Sequence, residues 1–263
     1  MNTNYKIKMG SKKGARIYVF RHGESDYRQT FPSIEDANDL KKEGIKIVRQ
    51  NAKELLALLK PIKGEVMQIY SSPHGRTLHT SKIILEELNN GKVLSKEIVV
   101  EEALADQRGY DYYLVSTLVN GGNINYKGIK FYVDKNITNP HRIKEKNYGA
   151  REIDNIPESF LKTLPKNYLN EIRKIEKPFK IRKRTFKVIE TILKKSRGGI
   201  FILVTHNANT NFLIEKLFPE ASGALLKPGE FFSINKNGGI VDIIFKNKTR
   251  SVTYPGEFRK MFL

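Results

Sequence analysis

The chain has no cysteine. Disulfides, cysteine–zinc sites, iron–sulfur clusters and thiol nucleophiles are therefore excluded. It also lacks any apolar run approaching the roughly 20 residues that cross a bilayer. Residues 1–13 carry basic side chains but no apolar segment behind them, so they do not read as a signal peptide. Acidic residues are scarce: 28 Asp+Glu stand against 47 Lys+Arg, a formal charge of +19. What is present is enough to fold. Hydrophobic residues make up 39% and aromatics 10% of 263 residues, too many for a disordered chain and enough for a sizeable core. The expectation is a soluble, cytoplasmic globular protein: a single α/β domain over 1–263, with an insertion at about 107–180.

The positive charge raises nucleic acid as a partner. It is mostly lysine, 33 Lys to 14 Arg, as a general compositional drift would produce. It is also uneven, since residues 141–197 hold 17 basic and 7 acidic residues, a net +10. Within that stretch, residues 173–187 carry eight basic residues and one acidic one. Such a run is ordinarily a solvated helix face, and functionally it could steer an anionic substrate. No nucleic-acid-binding motif accompanies it, so charge alone does not make nucleic acid the expected partner.

Apolar periodicity organises the rest. Residues 16–20 (RIYVF), 66–70 (VMQIY), 98–100 and 200–205 (IFILVT) read as buried strands. Residues 40–59 read as a helix with Ile45, Val48, Ala52, Leu55, Leu56 and Leu59 on one face. Ser72-Pro73 reads as a helix start, with Ser72 as N-cap, running to Asn89-Asn90-Gly91. Residues 181–195 and 208–217 form two further helices, and Asn237-Gly238-Gly239 marks a hairpin between 231–235 and 240–245. The stretch 107–180 is weakly periodic; it suggests a cap with Tyr110, Tyr112 and Tyr113, a turn at Gly121-Gly122, a strand at 128–133 and a helix at 158–175. The tail from Thr249 has no clear pattern. Strands alternating with helices predict a three-layer α/β/α sandwich on a mostly parallel sheet.

In such sheets ligands bind beyond the carboxyl ends of the strands. There the sequence places Arg21 and His22, then Ser71, Ser72 and Arg76, then His206. Arginines offer bidentate donors to phosphate, and helix N-termini add backbone N–H groups. A neutral imidazole can attack phosphorus and form a phosphohistidine. A carboxylic acid must then protonate the leaving oxygen and later activate water.

The local strings go further. Arg21-His22-Gly23-Glu24-Ser25 resembles the RHGES/RHGET signature of the histidine phosphatase superfamily, the phosphoglycerate-mutase-like family. Leu40-x-x-x-Gly44 is similar to its Leu-Thr-x-x-Gly helix start. Ser71-Ser72-Pro73-x-x-Arg76-x-x-x-Thr80 resembles its SSPxxRxxxT motif, and Val204-Thr205-His206 its VSHG/VTHG motif. The resemblance covers about 15–105 and 180–245. It implies that His22 is the phosphorylated nucleophile and that Arg21, Arg76 and His206 line a phosphate pocket, with His206 also catalytic. For the acid it points to Asp106, in Leu104-Ala105-Asp106-Gln107-Arg108-Gly109, with Glu101 and Glu102 as alternatives.

Two positions depart from the pattern. Arg28 stands where the family often has Asn, and Asn207 where it has Gly; either could contact the phosphate. The string ERHYG of the true mutases is absent, which favours a hydrolase. The expectation is a metal-independent phosphomonoesterase, without cofactor, acting on a small phosphorylated metabolite or a phosphoprotein. A catalytically weak phosphate-binding scaffold and a mutase-type phosphotransferase are the alternatives. His74 and His79 read as ordinary helix-face residues, although His74 is close enough in sequence to the pocket to touch substrate, and His141 reads as a loop residue.

Overall fold

Two apolar runs, Ala15–Arg21 (β1) and Gly199–Thr205 (β6), pair in parallel along their whole length in this computed structural model. The structure describes residues 14–26, 30–59, 67–91, 97–108, 122–126, 129–133, 158–196, 198–218 and 226–261. Arg28, His141 and the Tyr110, Tyr112 and Tyr113 cluster lie outside them. The described residues fall into two compact units, divided between Asp106 and Gln107 and between Ile181 and Arg182.

The first unit is built on a seven-stranded sheet. Its order is β3-β2-β6-β1-β7-β8-β9, with β2 at Met67–Ser71, β3 at Ile98–Val100, β7 at Phe231–Asn237, β8 at Ile240–Phe245 and β9 at Lys248–Thr253. The four strands from β3 to β1 run parallel, as the α/β pattern predicts; β7, β8 and β9 add an antiparallel edge. Alternation along the central strands feeds two cores. Tyr18, Phe20, Ile200, Ile202 and Val204 pack with Val48, Ala52 and Leu55 of helix α1 (Lys42–Leu58) and Ile83, Ile84 and Leu88 of α2 (Gly75–Asn90). Ile17, Val19, Phe201 and Leu203 point the other way. They meet Phe186, Ile189 and Leu193 of the helix at Pro178–Lys195 and Leu213, Ile214 and Leu217 of the helix at Asn207–Leu217. That is a helix layer on each face of one sheet.

The tail supplies what the sequence left undetermined: β9 and a short helix at Gly256–Lys260. Strand β9 is mostly exposed and polar, with Val252 as its buried residue, as an edge strand permits.

The second unit contains an antiparallel pair, Gly122–Tyr126 with Ile129–Val133. Gly122, expected in a turn, begins the first of these strands, and its φ of 94° is one that glycine tolerates. The helix expected over 158–175 is two helices, Glu158–Leu161 and Lys166–Lys174, because Pro165 removes a helical N–H and restricts the residue before it. Tyr168, Leu169, Ile172 and Ile175 are buried in this unit. Its two ends are tied together. Gln107 Nε2 donates to the Glu176 carbonyl (2.7 Å), and Glu176 N–H donates to the Arg108 carbonyl (2.8 Å).

Candidate active site

Strand register decides which side chains meet. Arg21 pairs with Thr205 and Ser71 with Val204, so His22, Ser72 and His206 are the first residues past three neighbouring parallel strands. Backbone bonds continue one step further, with His22 N–H to the Thr205 carbonyl (2.9 Å) and Ser72 N–H to the Val204 carbonyl (3.0 Å). Ser72 is therefore still on the sheet edge and does not cap a helix. Helix α2 begins at Gly75, with His74 in the N-cap position, and the Ser72 hydroxyl faces imidazoles instead.

His22 is buried, and its Nδ1–H donates to the Gly23 carbonyl at 2.7 Å. A carbonyl only accepts, so that bond assigns the proton to Nδ1 and leaves a lone pair on Nε2. The turn holding the ring is tightly specified. Gly23 N–H donates to Thr80 Oγ1 (3.0 Å), which donates to the Arg76 carbonyl (2.8 Å), joining the first motif to the second. A Cβ on Gly44 would collide with the backbone of Glu24, so α1 can approach this turn only with glycine there.

Arg76 is 1% exposed. Its Nε donates to His22 Nε2 at 3.3 Å and its Nη2 to Asp106 Oδ2 at 2.6 Å. The same carboxylate oxygen lies 3.4 Å from His206 Nδ1. The segment carrying Asp106 is held by its carbonyls. Thr205 Oγ1 donates to Leu104 (2.7 Å), Asn209 Nδ2 to Ala105 (3.3 Å), and Arg184 to both Ala103 (2.7 Å) and Asp106 (2.9 Å). Of the other two carboxylates considered, Glu101 accepts from Ala103 N–H at 2.9 Å, and Glu102 is exposed in the first turn of a short 3-10 helix.

His206 is buried, with Nε2 2.7 Å from Ser72 Oγ and its ring 5.3 Å from that of His22. Arg21 donates from Nη1 to the Leu226 carbonyl at 2.7 Å, and its charge acts on His22. Asn207 opens the helix after His206, and its Oδ1 accepts from Asn211 Nδ2 at 2.5 Å. The structure thus brings His22, Arg76 and Asp106 into one hydrogen-bonded group with His206 Nδ1 3.4 Å from the same carboxylate, while Arg28 falls outside the described residues.

Burial, and after it the charge of Arg76, holds the His22 and His206 imidazoles well below their ordinary value. The same causes lower His74 to about 4. All three are neutral near pH 7. In the unfolded chain they would titrate near 6.5, so below that pH the unfolded state binds more protons than the folded one. The stability they confer is complete above about pH 6.5 and is lost as the pH falls toward the folded values. Between pH 7 and 5 the loss through one such imidazole is about 2 kcal/mol, a Tm decrease of several degrees for a domain of this size. Thermal melts at the two pH values check this; a flat Tm would contradict three buried neutral imidazoles.

Two contributors are not assigned to the site by the sequence. Arg184 is hidden in a run of basic neighbours and is marked out by its backbone acceptors, the Ala103 and Asp106 carbonyls, and by its charge acting on His74 and His206. His74, read as a helix-face residue, is 6% exposed, with Nδ1 3.0 Å from Ser72 Oγ. Its place directly after the Ser-Ser-Pro string was the one available signal.

The fold, an open sheet with a parallel centre and helices on both faces, is phosphoglycerate-mutase-like. Residues 17–112 match the family model of the histidine phosphatase superfamily, branch 1, as the motifs led one to expect. The fold is similar to that of YhfR from Bacillus stearothermophilus (16% identity, TM-score 0.53, covering 89% of this chain and 98% of that one). It is similar to a phosphoglycerate mutase from Bacillus anthracis (16%, 0.53, 89% and 93%). A putative α-ribazole-5′-phosphate phosphatase from Escherichia coli also resembles it (15%, 0.50, 89% and 97%). At these identities the likeness is one of fold. No curated protein matches the chain by sequence.

Proposed function

We propose that this protein is a phosphomonoester hydrolase that works through a phosphohistidine at His22. The observation that carries the reading is the Nε2 lone pair of a neutral His22, set by the Gly23 carbonyl and lying beside a buried Arg76 that also holds Asp106. His22 Nε2 attacks the phosphorus and forms the N–P bond as the ester P–O bond breaks. Asp106, entering this step as the acid, gives its proton to the leaving oxygen. Water then attacks the phosphohistidine and Asp106 takes its proton, so the N–P bond breaks and inorganic phosphate leaves. Arg76, Arg21 and His206 supply the donors and positive charge that the phosphoryl oxygens need, and Asn207 and Arg28 are further candidates. The histidine phosphatase match over the segment holding His22, Arg76 and Asp106 supports a phosphatase or phosphotransferase; the missing ERHYG string favours hydrolysis. The substrate is a small phosphorylated metabolite or a phosphoprotein.

The scheme uses no metal. Turnover of an aryl phosphate should therefore persist in excess chelator, and rapid acid-sparing quenching should trap an acid-labile, base-stable phosphoryl group on the protein. No phenol release and no labelled protein would favour a phosphate-binding scaffold instead.

A further inference from the structure

The Ser72 hydroxyl sits between two imidazole nitrogens, 2.7 Å from His206 Nε2 and 3.0 Å from His74 Nδ1. All three residues are buried. A hydroxyl carries one proton, so it can donate to at most one of the two rings, and at least one ring must donate to it. The proton positions on His74 and His206 are therefore linked through Ser72. The His74 ring centroid lies 4.6 Å from that of His206 and 4.8 Å from that of Phe31.

The far nitrogen of His206 gives the linkage a direction. Nδ1 lies 3.4 Å from Asp106 Oδ2, an oxygen that already accepts from Arg76. A carboxylate oxygen there favours a proton on His206 Nδ1 over a lone pair. Nε2 of the neutral ring is then an acceptor, and Ser72 must donate to it. With its one proton given to His206, Ser72 can meet His74 Nδ1 at 3.0 Å in a hydrogen bond only as acceptor, alongside the longer bond from the His74 backbone N–H (3.5 Å), so Nδ1 carries a proton.

We propose that His74 is a positioning residue which, by donating from Nδ1 to Ser72, holds His206 in its Nδ1–H form. This rests on the function proposed above, because it gives His206 a defined N–H edge toward Asp106, the acid of that scheme.

Long-range proton–nitrogen spectra of ¹⁵N-histidine-labelled protein report which nitrogen of each neutral ring is protonated. The wild type should show His206 as a single Nδ1–H tautomer. His74→Leu should convert it to a mixture, and His74→Asn, whose amide N–H can reach Ser72, should restore it. With an aryl phosphate, His74→Leu should lower kcat on the order of tenfold to a hundredfold, the range for losing the partner of a working imidazole. KM should move less than about threefold, since phosphate contacts remain. A wild-type His206 protonated on Nε2 overturns the proposal, and so does an unchanged spectrum in His74→Leu. Should His74→Leu fail to fold, Ser72→Ala and the wild-type spectrum decide it in the same way. If no form of the protein hydrolyses the phosphate ester, the function fails, while the spectra still decide the tautomer.

Discussion

His22→Ala should abolish turnover and, with it, the acid-labile phosphoryl group on the protein. The other candidate nucleophiles are already engaged. His206 Nε2 faces Ser72, His74 Nδ1 faces the same hydroxyl, Ser72 is buried between them, and there is no cysteine. His22 Nε2 is the imidazole nitrogen whose lone pair the Gly23 carbonyl exposes beside Arg76. A reaction routed through one covalent residue loses on the order of 10⁴-fold or more when that residue goes, and what remains comes from the electrostatics of the pocket. Those electrostatics should survive. Arg76 keeps its bond to Asp106, and Gly23 keeps its bond to Thr80. Phosphate or vanadate should therefore bind the variant within a few-fold of wild type while kcat collapses. A variant that keeps more than about a hundredth of the wild-type rate, against that expectation, would place the nucleophile elsewhere.

What the sequence could say about this site follows from where the determinants are local. His22, Arg76 and His206 each follow a short strand that alternation or continuous apolarity makes visible, so their convergence could be inferred from three separate strings. Asp106 could be nominated but not placed, because its position depends on bonds from Thr205, Asn209 and Arg184, residues 78 or more positions away. Ser72 is not the N-cap that Ser-Pro predicts, for a related reason. Ser-Pro is a sound local signal for a helix start, but parallel pairing with Val204 keeps Ser72 on the sheet and delays the helix to Gly75. Strand β9 was illegible because Lys-Thr-Arg-Ser-Val-Thr buries one side chain, and an edge strand is specified by its partner more than by its own pattern. A helix starting at Pro73 would put His74 on a helix face; it joins the site because the helix begins two residues later, at Gly75.

Asp106→Asn should separate chemistry from scaffolding. The segment is held by its backbone carbonyls, through Arg184, Thr205 and Asn209, and these bonds do not involve the carboxylate. The amide oxygen can still accept from Arg76. The fold should hold, and the Tm should stay within a few degrees. What is lost is a proton donor in the first half of the reaction and an acceptor in the second, a contribution of about 10²–10⁴. The loss depends on the leaving group. A nitrophenolate departs without help, so its release in the first turnover should be nearly normal, followed by a slow steady state as the phosphohistidine waits for an unactivated water. An alkyl phosphate needs the proton to leave, so its first turnover should fall by the full factor. Rapid mixing with both esters reads this difference as a burst with one and none with the other. If both esters are turned over as in wild type, Asp106 is not the acid. Glu101, now spent on the Ala103 N–H, and Glu102, exposed on its turn, would then be the carboxylates to replace.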